Sequence, residues 1–148
     1  MAMPTRPELE AAFKRYLQVG AFDRNWNAWA DLFTEDAYYF EVQYGVYRGR
    51  ETIRRWITTT MAGVPDMFFP PPKWVMIDGD RVCFCIPNVY PHPHSGQPPI
   101  AFDTISILQY RDGLWCSEED YYDVKASVAA RQAFRAAGGN ATPPLDTH

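Results

Sequence analysis

From Thr5 onward the apolar positions recur at helical spacing. Leu9, Phe13, Tyr16, Leu17 and Gly20 share one face, and Glu8, Glu10, Lys14 and Arg15 fall elsewhere. Thr5 is placed to cap this first helix, Pro7 suits its first turn and Gly20 closes it. A second, short helix is predicted over Asn25 to Phe33 with Asn25 as cap. Its Trp26, Trp29, Ala30, Leu32 and Phe33 leave so little polar surface that it must wedge between other elements. Thr34, Glu35 and Asp36 break the pattern, and the aromatic run Ala37 to Val42 reads as a strand. A turn and a short extended piece lead through Tyr44 to Tyr47. A third helix over Arg50 to Met61 then buries Ile53, Trp56 and Ile57 and turns Arg50, Arg54 and Arg55 to water. Gly63 and Pro65 end it.

Beyond the stiff Phe68-Phe69-Pro70-Pro71-Pro72 loop the period changes from helical to alternating. Lys73 to Ile77 faces Arg81 to Val89 across Asp78-Gly79-Asp80, a strong hairpin signal. A proline-rich loop carrying His92 and His94 leads to a second long hairpin, Ile100 to Tyr110 with Trp115 to Asp123. Val124 to Ala137 adds a C-terminal helix. The residues from Gly138 on read as a frayed tail, so the ordered part of a single domain spans about residues 5–137. Helices followed by a run of antiparallel strands make an α+β layer fold. The sheet has to curve around the first helix to bury its aromatics, which leaves a cone with an internal apolar pocket.

Composition narrows the partners. The 148 residues suit one domain, and with 47% apolar and 16% aromatic residues the core can be large. A formal charge of −4 and a pI near 5.3 exclude nucleic acid as the main partner, since phosphate binding needs a basic face. No stretch is apolar for long enough to cross a bilayer, and Met1 to Glu10 lacks the apolar run of a secretory signal. Cys83, Cys85 and Cys116 are odd in number, and reduced core thiols in a cytoplasmic protein are the simplest reading. His92-x-His94 has metal-compatible spacing but no third ligand nearby, so no metal site is expected. No nucleophile motif, phosphate-cradling loop or dinucleotide fingerprint is present, and the expected chemistry needs no cofactor.

The segment Asn25-Trp26-Asn27-Ala28-Trp29-Ala30-Asp31-Leu32-Phe33-Thr34-Glu35-Asp36-Ala37 resembles the most recognisable stretch of SnoaL-like domains in the nuclear transport factor 2 superfamily. Gly49-Arg50-Glu51-Thr52-Ile53-Arg54 is similar to that family's glycine-led third helix. Asp112-Gly113-Leu114-Trp115 and Glu118-Glu119-Asp120-Tyr121-Tyr122 resemble its last hairpin and strand. The resemblance runs from about residue 7 to residue 125 and implies the cone-shaped fold. It specifies function poorly, because the fold hosts isomerases, dehydratases, cyclases, hydrolases and non-catalytic subunits.

Among these, the ketosteroid isomerases give the sharpest comparison; their tuned carboxylates are a standard case of pKa control. Along that pattern Glu41 falls at the position of the proton-abstracting base, and Tyr16 is similar to the tyrosine that donates to the substrate oxygen. Asp103 is the nearest acid for the third, protonated-aspartate role, although its distance to the following turn departs from the pattern. Strand alternation sets Tyr39 and Glu41 on one side and Tyr38, Phe40 and Val42 on the other. A glutamate on the cavity side would be desolvated and basic near neutral pH; on the outer side it would be a surface residue or pair with Arg48.

Trp26, Trp29, Phe33 and Trp56 are core by composition, and in this family some of them line the cavity. With Tyr39, and with Asp120 and Tyr122 on the last strand, they make the expected ligand pocket. Asp123 is similar to a catalytic aspartate of polyketide cyclases, but a cap for the following helix is the simpler role. The expected function is cofactor-free acid–base chemistry (isomerisation, dehydration or cyclisation) on a hydrophobic, ring-containing ligand. The alternative is a non-catalytic binding or assembly subunit, like the small subunits of aromatic-ring dioxygenases. The family habit of pairing through the outer sheet face implies a homodimer.

Overall fold

The computed structural model describes residues 2–145. Helix α1 (Arg6–Tyr16) opens on a capping box. The Thr5 hydroxyl accepts from the Glu8 N–H, and the Glu8 carboxylate accepts from the Thr5 N–H at 2.7 Å. The helix does not stop at Gly20 but widens into a π-helical turn, Leu17–Phe22. Gly20 is needed there for closeness: a Cβ at this position would fall 2.3 Å from Cδ1 of Trp29. Helix α2 (Trp26–Ala30) starts at its Asn25 cap but is shorter than its apolar run suggests. The run passes straight into strand β1 (Phe33–Glu41), because the Leu32 carbonyl is already taken by the Trp115 N–H at 2.8 Å.

Strand β2 (Gly45–Arg48) returns along β1 and leads into helix α3 (Arg50–Ala62). Arg50 and Arg54 were expected in water, yet they tie α3 to the preceding segment. Arg50 Nε donates to the Phe33 carbonyl at 2.7 Å, and Arg54 reaches Asp31 and the Asn27 carbonyl at 2.5 Å each. Strands β3 (Trp74–Asp78), β4 (Arg81–Tyr90), β5 (Ile100–Arg111) and β6 (Leu114–Tyr121) follow, then helix α4 (Val124–Ala136). The β5–β6 turn is Asp112-Gly113 with φ of 52° and 86°, the left-handed pair that a two-residue hairpin of matching twist requires.

The sheet order is β2-β1-β6-β5-β4-β3. All neighbours are antiparallel except β1 and β6, which run parallel, so the sheet is mixed rather than wholly antiparallel. The chain enters β1 from helices on one side and reaches β6 only after four further strands, and this closes the two halves side by side. The concave face holds Phe84, Leu108 and Trp115 against Leu9, Phe13 and Trp29 of the helical layer. The residues after α4 are not frayed throughout. The Thr142 N–H donates to the Gly63 carbonyl at 2.8 Å, and Gly139 packs so tightly on Phe134 that a Cβ would fall 2.4 Å from its ring. The last three residues of the expected tail, 146–148, lie outside the described residues.

Candidate active site

A bulge in β6 decides which acids face inward. Gln109 pairs with Ser117 but Tyr110 pairs with Trp115, so Cys116 is an extra residue in the ladder. Without it, the inward Trp115 would be followed on its own face by Ser117, Glu119 and Tyr121. With it, Glu118, Asp120 and Tyr122 point into the cone. The parallel register then sets Glu118 beside Tyr39 and Asp120 beside Glu41.

The result is a buried network of two carboxyls and two phenols. The Tyr16 hydroxyl lies 2.8 and 2.9 Å from the two oxygens of Glu118. The Tyr39 hydroxyl lies 3.0 Å from Glu118 Oε1 and also contacts Asp120 Oδ2. Ser106 Oγ donates to Asp120 Oδ1 at 2.7 Å. Glu118 is 2% exposed, and burial together with the Asp120 charge pushes its carboxyl well above the ordinary range. Burial also raises Asp120, but donors from Tyr39 and Ser106 work against that. Burial thus raises both carboxyls of the pair, Glu118 the more strongly. Tyr16 donates to Glu118, and the Tyr39 hydroxyl lies within reach of both carboxyls, so one phenol links the two acids. Burial, then the fields of the two carboxyls, hold both phenols well above their usual pKa.

Glu41 stands apart from this chain of bonds. It is 4% exposed, and burial raises its carboxyl to about 7, opposed by the Gln43 N–H at 3.1 Å and by the neighbouring Tyr122. The Tyr122 hydroxyl donates to Gln43 Oε1 at 3.0 Å. Above the carboxyls is a cavity of about 140 Å³, roofed by Leu17, Ala21, Trp26, Trp56 and Met61. Trp56 packs on Tyr47 and Tyr39 with ring centroids 4.7 and 4.9 Å apart. Among the described residues its buried Nε1–H has no acceptor. Asn88 Nδ2 donates to Thr104 at 2.7 Å further along the floor.

Eight of the ten expected site residues line this cavity: Tyr16, Trp26, Trp29, Tyr39, Glu41, Trp56, Asp120 and Tyr122. Two do not. Asp103 points out of the cone and pairs with Lys73 at 2.6 Å, because odd-numbered residues of β5 in this stretch face outward. Phe33 is fully buried behind Trp29, with ring centroids 4.6 Å apart, and belongs to the core rather than the cavity wall. Asp123 caps α4, accepting from Lys125 and Ala126. Arg48 does not reach Glu41 but lies over the Tyr38 ring at 5.2 Å. His92 and His94 sit in an exposed loop, the first accepting from the backbone of the second at 3.0 Å. Among the described residues no three His, Cys, Asp or Glu side chains converge as a metal site. The two residues the sequence did not single out are Glu118 and Ser106. The i, i+2 spacing of Glu118, Asp120 and Tyr122 is the available signal for the first.

A mixed curved sheet wrapped on helices, with paired acids and phenols beneath an apolar cavity, defines a cone-shaped α+β class of ligand-cavity domain. Within that class the sequence match is specific: residues 13–118 fit the SnoaL-like domain model, and the chain belongs to that family. A protein of ketosteroid isomerase-like fold from Catenulispora acidiphila DSM 44928, solved in complex with trimethylamine, is similar at 25% identity. The match covers 85% of this chain and 93% of that one, with a TM-score of 0.66. A putative SnoaL-like polyketide cyclase from Jannaschia sp. CCS1 aligns at 17% identity over 88% of this chain and 95% of its own, TM-score 0.70. An LEH-like epoxide hydrolase from M. tuberculosis aligns at 18% identity over 90% and 96%, TM-score 0.69. At these identities the latter two show the fold alone. No curated protein matches the chain significantly. Among the described residues no helix is long and apolar enough to cross a membrane.

Proposed function

We propose that this protein is a cofactor-free acid–base enzyme acting on a small, lipophilic, ring-containing carbonyl compound, with Glu41 as the base. The observation that carries the reading is a buried glutamate, raised to about 7, on the wall of an apolar cavity. Near neutral pH such a group is ionised often enough to accept a proton and basic enough to take one from carbon. In the reaction Glu41 removes the proton beside the carbonyl, the C–H electron pair moves into the enolate, and the oxygen gains the charge. Tyr16 supplies the hydrogen bond to that oxygen. Burial raises the Glu118 carboxyl well above its ordinary range, which weakens its hold on the Tyr16 proton, and a ligand oxygen competes for that donor. Return of the proton from Glu41 to another carbon completes an isomerisation; its transfer instead to a β-hydroxyl, which then leaves as water while the enolate electrons form the C=C bond, gives a dehydration. With Asp103 on the outer face, Glu118 is the buried acid that backs Tyr16.

The cavity volume bounds the substrate. A void of about 150 Å³ takes up benzene, so the 140 Å³ here accommodates one ring, and larger substrates require Trp26, Trp56 or Met61 to move. The free state of Cys83, Cys85 and Cys116 supports a reducing, cytoplasmic setting.

The test uses 5-nitrobenzisoxazole, a carbon acid whose N–O bond breaks when a base removes its ring proton, releasing a coloured phenolate. Wild-type protein is expected to accelerate ring opening at pH 8, and Glu41→Gln to lose about 10²-fold or more of that rate. Equal rates in the two proteins would remove Glu41 from the chemistry. The satisfied Tyr16–Glu118–Tyr39–Asp120 network would then favour the second reading, a ligand-binding or assembly subunit without turnover.

A further inference from the structure

The cavity wall holds one feature that proton abstraction does not use. Helix α4 closes one side of the cone with Ser127 and Arg131, one turn apart, and among the described residues Arg131 is the one Lys or Arg side chain lining the cavity. Its Nε donates to the Tyr90 hydroxyl at 3.3 Å, and the Tyr44 hydroxyl flanks it. No carboxylate of the described residues forms an ion pair with it. A half-buried guanidinium is thus served by two neutral phenols, which leaves most of its five donors free and its charge without a carboxylate in contact. Tyr44 feels both Arg131 and Glu41, so the cation sits across one tyrosine from the base.

We propose that Arg131 receives the carboxylate of the ligand, and that the natural substrate is a ring-bearing monocarboxylic acid. The planar guanidinium matches a carboxylate through two parallel hydrogen bonds, a geometry that a point charge such as lysine does not offer. Charge balance sets the count at one. Among the described residues Arg131 is the one cation of the cavity wall and can pair one carboxylate, whereas a second anionic group on the ligand would meet the carboxyls of Glu41 and Asp120. The length of the substrate follows from the same geometry. The anion rests against α4, the ring fills the space over Tyr44 and Trp56, and the reacting carbon lies over Glu41. The placement of that carbon rests on the function proposed above; the anion site itself does not.

Binding of benzoate, benzamide and phenyl phosphate to the full chain at pH 7.5, followed by NMR titration, tests this. Benzoate is expected to bind at least about tenfold more tightly than benzamide, the usual scale for a charge-assisted hydrogen bond. Arg131→Gln is expected to erase that preference, and Arg131→Lys to keep part of it. The ligand-free melting temperature of each variant shows that it is folded. Four outcomes overturn the proposal: equal binding of acid and amide, a preference that survives in Arg131→Gln, tighter binding of phenyl phosphate than of benzoate, or no binding by any probe. The readout is binding alone, so it stands or falls independently of whether Glu41 moves a proton.

Discussion

Glu41 titrates near 4.5 in an unfolded chain and near 7 in the folded one, and that difference ties function to stability. Folding favours the protonated form, so the contribution of this site to stability is complete below about pH 4.5. It is lost as the pH rises through 7, roughly 3 kcal/mol in all for a shift of this size. Glu41→Gln, which carries no charge at any pH, does not suffer that loss. Denaturant unfolding at pH 5 and pH 8 should therefore show the variant gaining roughly 2.5 kcal/mol on wild type over the interval; a difference independent of pH contradicts the raised pKa. Glu41 and Tyr16 were legible in the sequence because each sits in a regular stretch whose period fixes the direction of the side chain. Glu118 was not, since counting by twos from Trp115 puts it outside, and only the extra residue at Cys116 turns it in. Asp103 fails for the complementary reason: an acid in an apolar strand looks buried until the partner, Lys73, is seen on the outer face.

At the scale of elements, the join between α1 and β1 does the most to shape the site. The π-helical turn carries Leu17 and Ala21 to the cavity, and Gly20 lets Trp29 approach it closely, where the indole packs on Phe33 and lies 6.0 Å from the Tyr16 ring centroid. Gly20→Ala would push its methyl group into Trp29, so overpacking should cost about 1–3 kcal/mol and lower the melting temperature by several degrees. Calorimetry checks this; an unchanged midpoint would mean that Trp29 moves aside freely. The order of elements was readable from the shift of hydrophobic period between Arg50–Met61 and the later strands. The ends of α1 and α2 were not. Apolar residues continue across both junctions, and what ends α2 is a hydrogen bond from Trp115, far along the chain, to the Leu32 carbonyl. The parallel β1–β6 pairing was hidden likewise, because no local signal says which distant strand a first strand will join.

Across the whole molecule, the outer face of the sheet carries a stripe of apolar side chains beside the Lys73–Asp103 pair. Ile105 pairs across the ladder with Cys85 and Tyr121, Cys85 pairs with Trp74, and Phe40 packs on Tyr121 with ring centroids 5.6 Å apart. Met76 is 60% exposed at the open edge of the same face. The family resemblance implies a homodimer, and this surface is where the expectation is tested. Ile105→Lys places a charge in the middle of that stripe and should turn a dimeric sedimentation mass into a monomeric one while leaving the cavity intact. A monomeric mass for wild type would contradict the expectation.

The central claim is that Glu41, tuned by burial, is the base of a ligand cavity, and its pH–rate profile tests that most directly. For 5-nitrobenzisoxazole, kcat/KM of the wild type should rise as one group loses its proton with a midpoint at about 7, then level off. The Glu41→Gln profile should be flat and lower by about 10²-fold on the plateau. A wild-type midpoint in the ordinary carboxylate range, or a rising limb that persists in Glu41→Gln, would contradict the account.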